Sequence, residues 1–289
     1  MSEATRPAAS PDRLEVDVLF ISYNRPEYTA MSLPSLLESA VGHARVWIWH
    51  NGDDQATLEV VRGFKDHPAV FQYRESQENV GLYPPIAWVM EEGKGAYVSK
   101  VDDDCLLPRD WIARLVALHS ENPRVGVLGC WRFQDEDFDA DLAAPKIQPI
   151  VGAEVLRNLW VEGSGFLLKR GAYEAVGGMR RGEGLPSVFK RVAREGYING
   201  WVYPFIPQEH MDDPRAPHTL LHTDADLLRH LPISARRNGV RTLEQWDRQL
   251  RRSAKFVQSV SCDPHDHFGL GPWMRSRLHE LRLAARRIL

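Results

Sequence analysis

Between residues 14 and 101 the apolar positions change period repeatedly. Short β-branched and apolar runs, "LEVDVLFIS" (14–22), "RVWIWHNGDD" (45–54), "AVFQYRE" (69–75) and "GAYVSKV" (95–101), have the character of buried strands. The segments between them carry apolar residues at helical spacing: Met31, Leu33, Leu36, Leu37 and Ala40 in the first, then "ATLEVVRGFKDH" (56–67) and a stretch over 86–92. Strand and helix alternating in this way predict an α/β fold built on a doubly wound, parallel sheet. Each strand runs into a polar loop: "YNR", "HNGDD", "SQENVGL" and "DDD". Ligands of such sheets bind outside the carboxyl ends of the strands, so the four loops should converge on one edge.

Farther along, "LPRDWIARLVALHSENP" (107–123) reads as a helix and "RVGVLGCWRF" (124–133) as a strand, followed by an acidic, irregular surface loop over 134–149. Residues 160–179 read as strand then helix, and 187–210 as helix then strand. From Asp212 the chain is polar and loop-rich until a helix over 241–258, announced by Thr242 and Gln245 at capping-box spacing. The expected organisation is a disordered tail over 1–12, an α/β body over 13–215 and a C-terminal loop and helical extension over 216–289.

With 289 residues, 43% of them hydrophobic, the chain can bury a sizeable core. A net charge of -3 gives no specific nucleic-acid signal. Cys105, Cys130 and Cys262 are too few and too scattered for a disulfide framework, which points to a reducing compartment, the cytoplasm. No segment approaches the ~20 apolar residues of a membrane-spanning helix. The last stretch, 273–289, sets Met274, Leu278, Leu281, Ala285 and Ile288 on one helical face among Arg275, Arg282, Arg286 and Arg287. Such a helix can lie on the inner face of an anionic membrane, or pack on the body or on a second copy in a homodimer.

The triplet Asp102-Asp103-Asp104 ends the fourth predicted strand. Adjacent carboxylates repel unless a cation or a hydrogen-bond network compensates. Oxygen ligands on a short loop suit Mg2+ or Mn2+ with substrate phosphates completing the shell, and the strand-end position favours this over a solvated acidic turn. Cys262, His265 and His267 are one ligand short of an ordinary zinc site.

Five stretches occur in the order and spacing of one family: "VDVLFISYNRPEY", "WIWHNGDD", "ENVGL", "VSKVDDDCLLPRDWI" and "GSGFLLKRGAYEAVGGM". Over residues 14–215 the sequence resembles a family 2 glycosyltransferase of GT-A fold, which implies a mostly parallel central sheet with flanking helices. The resemblance implies metal-dependent transfer of a sugar from a nucleotide-diphosphate sugar to a hydroxyl of a glycan, a lipid-linked molecule or another acceptor, with inversion. It places the donor's nucleotide on Ser22, Tyr23, Asn24, Asn51, Asp53 and Asn79. Asp102 and Asp104 would be the DxD pair, Asp104 on the metal and Asp102 near the ribose; a register shifted by one would put Asp103 on the metal. His210 would be a further ligand to Mn2+ or Mg2+, and Glu183 the general base, one residue out of the family's register, with Glu209, Asp212 and Asp213 in reserve. His50 stands where the family often has an acid. A nucleotidyltransferase is the alternative activity, but no Gly-rich, basic phosphate loop follows Ile21; a non-catalytic binding domain of the same fold is the other alternative.

Overall fold

A computed structural model describes residues 15–268 and residue 271. Its strands are β1 (Val16–Ser22), β2 (Arg45–Asn51), β3 (Val70–Ser76), β4 (Tyr97–Asp102), β5 (Cys105–Leu106), β6 (Val125–Gly129), β7 (Ile147–Ile150), β8 (Ala153–Arg157), β9 (Phe166–Lys169), β10 (Ile198–Tyr203) and β11 (Glu209–His210). The helices are α1 (Pro26–Ala40), α2 (Gln55–Arg62), α3 (Tyr83–Glu92), α4 (Trp111–Glu121), α5 (Ala140–Ala143), α6 (Arg170–Ala175), α7 (Leu185–Arg194), α8 (Asp224–His230), α9 (Ile233–Arg237) and α10 (Leu243–Ser259). Nine strands form one sheet in the order β3-β2-β1-β4-β9-β6-β10-β8-β7. The β1–β4 quartet is parallel, with Ile21 beside Asp102 and Ser22 beside His50, so the predicted polar loops do leave from one edge. β9 and β8 run against the other strands, which makes the sheet mostly parallel.

The two faces of the sheet bury separate apolar layers. Val18, Phe20, Val46 and Ile48 point to one, with Leu33 and Leu37 of α1; Leu19, Trp47 and Val98 point to the other, with Trp88 and Val89 of α3. This is the period-two alternation of a strand covered on both sides. Within that core sits Asp17, fully buried. One of its oxygens accepts from Arg45 Nε at 2.8 Å and Trp47 Nε1 at 2.9 Å; the other accepts from Gly95 N at 2.7 Å and Arg170 Nη2 at 3.0 Å.

His119 on α4 is also buried. Its Nε2 lies 3.0 Å from the Leu167 carbonyl oxygen, and burial, helped by the Lys169 charge, pushes its pKa down from 6.5 to about 3. A histidine kept neutral by the fold contributes stability above its unfolded pKa that is lost as pH falls from 6.5 toward 3. Going from pH 7 to pH 5 should therefore cost about 2 kcal/mol through this residue alone. Urea unfolding of the wild type and His119→Gln at both pH values checks this, the variant losing less stability on acidification.

Residues 134–149 are not the irregular loop expected from the sequence. Asp139 caps α5 by accepting from Leu142 N at 3.0 Å, and Ile147–Ile150 pairs antiparallel with β8 at the sheet edge. Of the acids there, Asp137 is paired with Arg215 and with Arg251. Thr242 caps α10 as its spacing predicts, but Gln245 reaches back to Arg241 N and not to the cap's own N–H. Past residue 215 a small core of Leu221, Leu227, Ala235, Val240, Trp246 and Leu250 holds α8, α9 and the start of α10 together. The end of α10 packs Ala254 and Val257 into the main body. No helix among the described residues is long and apolar enough to cross a membrane. The 1–12 tail and the basic helix expected over 273–289 lie outside the described residues.

Candidate active site

The four strand-end loops open on a cavity of about 920 Å³. Ile21, Tyr23, Asn24, Asn51, Asn79, Gly81 and Leu82 line one part of it; the aspartate triplet with His210 and Asp212 forms its floor; and side chains between Arg229 and Asn238 complete the wall. Local pairing explains the floor. After Asp104 the chain forms the short β5, which pairs antiparallel with β11 and sets His210 opposite Cys105. Met211 N then donates to the Asp104 carbonyl at 2.8 Å, bringing Asp212 back beside Asp104. Trp246 Nε1 of α10 donates to the Asp212 carbonyl at 2.6 Å, and Tyr28 Oη of α1 to the Met211 carbonyl at 2.9 Å. The floor is thus fixed from both ends of the chain.

One ligand atom each from Asp104, His210 and Asp212 lies within 4.8 Å of the others. Arg25 bridges the two carboxylates, its Nη1 3.0 Å from an oxygen of each. Burial opposes ionisation of Asp104, but its neighbours His210 and the Arg25 guanidinium outweigh it and hold its pKa below the ordinary range. Burial pushes Asp212 well up; Arg25 opposes this and the Asp104 charge adds to it. Asp103 is pushed up to about 7 by burial, against Arg25, while it accepts from Tyr23 N at 2.8 Å. Burial also lowers the pKa of His210, which favours the neutral imidazole that a metal needs. Two buried polar atoms here, His210 Nδ1 and Asp212 Oδ1, have no hydrogen-bond partner. A set of two carboxylates and an imidazole fits Mn2+, and fits Mg2+ less well because of the nitrogen.

Of the other residues picked out from the sequence, Asp102 lines the cavity, pairs with Lys100 and receives its backbone position from Ser164 Oγ. Asn51 holds the "ENVG" loop, donating to the Gly81 carbonyl at 3.1 Å and accepting from Val80 N at 3.0 Å. Asn79 Oδ1 accepts from Gly81 N, and Asn24 stands at φ 52, a left-handed conformation that asparagine tolerates. Ser22 and Asp53 do not line the cavity. Ser22 is buried against His50, its Oγ 2.9 Å from Nδ1, while Asp53 is exposed. His50 is itself fully buried, so the strand end offers Asn51 to the cavity at the place where the family often has an acid. Glu183 also falls outside the cavity lining, with one oxygen accepting from Arg180 N at 2.9 Å and the other paired with Arg191.

The sequence profile described as Glycosyl transferase family 2 matches residues 17–175, more than half of the chain. The chain belongs to this family. It is a glycosyltransferase, and its overall shape agrees. The mannosyltransferase PcManGT of Pyrobaculum calidifontis, solved with GDP-Man and Mn2+, is 18% identical with a TM-score of 0.57 over 95% of this chain and 86% of its own. Residues 1–349 of S. aureus TarS, in complex with UDP, are 12% identical with a TM-score of 0.52 over 85% and 90%.

In this glycosyltransferase several cavity residues were not legible as site residues. Glu162 immediately precedes the "GSGF" segment, lines the cavity and pairs with Arg132 Nε at 3.1 Å. Its signal was an acid directly before a small-residue run. Arg25 is the third residue of the "YNR" loop, and Asp212, the second after His210, is expected from the sequence only as a reserve base and not beside His210 as a ligand. The wall of Arg229, His230, Arg236, Arg237 and Asn238 comes from two short helices whose polarity alone marks no site.

Proposed function

We propose that the enzyme transfers a sugar from a nucleotide-diphosphate sugar to an acceptor hydroxyl in a metal-dependent, inverting reaction. The observation that carries this is the grouping of Asp104, His210 and Asp212 on the floor of a cavity whose wall is the Tyr23, Asn24, Asn51 and Asn79 loops. Those loops offer amide and ring surfaces suited to a base and ribose. The metal triad would hold Mn2+ or Mg2+, which supplies positive charge to a leaving diphosphate. Asp103 fixes the first loop through Tyr23 N, and Lys100 orients Asp102 at the cavity edge. Arg229, Arg236 and Arg237 also line the cavity and add cationic charge there, which suits a phosphate group.

An inverting transfer needs a carboxylate that takes the acceptor's proton as the bond to the anomeric carbon forms. Glu162 is the cavity carboxylate outside the aspartate cluster, and this favours it as the base over Glu183, whose oxygens are occupied by Arg180 N and Arg191. Donor hydrolysis across UDP-, GDP- and TDP-sugars with Mn2+ tests the activity; no turnover and no binding of any donor would defeat the proposal. With the productive donor, Glu162→Gln should lower transfer by about 10²-fold or more while leaving donor affinity within a few fold, and Glu183→Gln should keep most of the rate. The reverse ranking would return the role to Glu183.

A further inference from the structure

Arg25 occupies an unusual position for a buried arginine. Its side chain is 13% exposed, its Nη1 sits 3.0 Å from Asp104 and 3.0 Å from Asp212, and its Nη2 donates at 3.0 Å to the His230 carbonyl at the end of α8. It also lies over the Tyr28 ring at 5.6 Å, and Tyr28 in turn fixes Met211 between His210 and Asp212. The guanidinium therefore holds the two carboxylates of the metal triad with one nitrogen.

We infer that Arg25 is a placeholder cation, which satisfies Asp104 and Asp212 while no metal is bound and gives way when a divalent ion arrives. The inference rests on the metal-dependent reading above. An ion held about 2.1 Å from those same two oxygens would stand against the guanidinium, cation beside cation, in a buried site where water screens little. The contacts to Asp104 and Asp212 cannot both persist unchanged beside it. Without Arg25, two buried carboxylates would face each other across the empty triad, which burial and like charge both disfavour. The placeholder thus stabilises the metal-free fold and competes with the metal for the same oxygens. His210 is the triad member that Arg25 does not touch in the contacts described, and its Nδ1 is left without a hydrogen bond.

The test measures Mn2+ binding and not turnover. Mn2+ is titrated into wild type, Arg25→Gln and Arg25→Lys by electron paramagnetic resonance, with melting temperature followed in the same samples. If Arg25 blocks the triad most of the time, removing it abolishes that occupancy penalty, so Arg25→Gln should bind Mn2+ about tenfold tighter or more. Arg25→Lys, whose ammonium cannot fork between the carboxylates and the His230 carbonyl, should fall between the two. Arg25→Gln should melt below wild type without metal and recover with Mn2+, its metal-induced shift exceeding that of wild type. A merely structural arginine would lower the melting temperature equally with and without the ion. Wild-type binding with equal or weaker binding by both variants overturns this inference alone. Absence of Mn2+ binding by all three proteins overturns it together with the metal-dependent reading.

Discussion

Asp104→Asn should lower sugar transfer by about 10³-fold or more, and remove measurable Mn2+ binding. Asn keeps the shape of the side chain but loses the charge that the ion requires, at the one triplet residue grouped with His210 and Asp212. Asp212→Asn should act in the same direction. Asp103→Asn should do far less, because an amide oxygen can still accept from Tyr23 N and hold the first loop. Rates and Mn2+ titrations for the three variants therefore decide the register of the aspartates: a severe Asp103→Asn defect with an active Asp104→Asn would move the metal to Asp103.

The largest expected loss of stability lies away from the cavity. Asp17→Ala removes a counter-charge from Arg45 and from Arg170, whose side chains are only 6% and 12% exposed, and takes away the carboxylate oxygens that accept from Trp47 Nε1 and Gly95 N. Removing one partner from a buried ionic network costs about 3–5 kcal/mol. Because Asp17 ties β1 to β2, to the turn before β4 and to the start of α6, the whole parallel quartet should loosen. Urea unfolding is the check, and a loss below about 1 kcal/mol would mean that the network contributes no more than a surface ion pair does.

Much of this architecture is legible in the sequence, for physical reasons that differ by region. The β1–β4 quartet was legible because each strand is buried on both faces and so reads as a continuous apolar run, with polar loops forced to the same edge by parallel pairing. Asp102, Asp103, Asp104 and His210 were legible as a group because they sit at or beside strand ends. The β7–β8 hairpin was not, since Ile147–Ile150 is a short edge strand that contains Pro149 and follows an acidic stretch, and its identity depends on β8 pairing with β10. The resemblance points to Glu183, but α7 begins at Leu185 and leaves that glutamate in the preceding turn, where Arg191 takes it. The wall over 229–238 was invisible for another reason. Its helices are five to seven residues long, and their place is set by long-range contacts such as Trp246 with Asp212, which no local pattern encodes.

On the proposed reading Asp104, His210 and Asp212 form the metal centre against which a nucleotide sugar is bound. A crystal structure of the enzyme soaked with Mn2+ and the hydrolysed donor, with anomalous data at the manganese edge, addresses it directly. One anomalous peak is expected among those three side chains, bridged to the donor's diphosphate, with the base and ribose along Tyr23, Asn24, Asn51 and Asn79. A peak on other ligands, or a donor bound with no peak there, would contradict it.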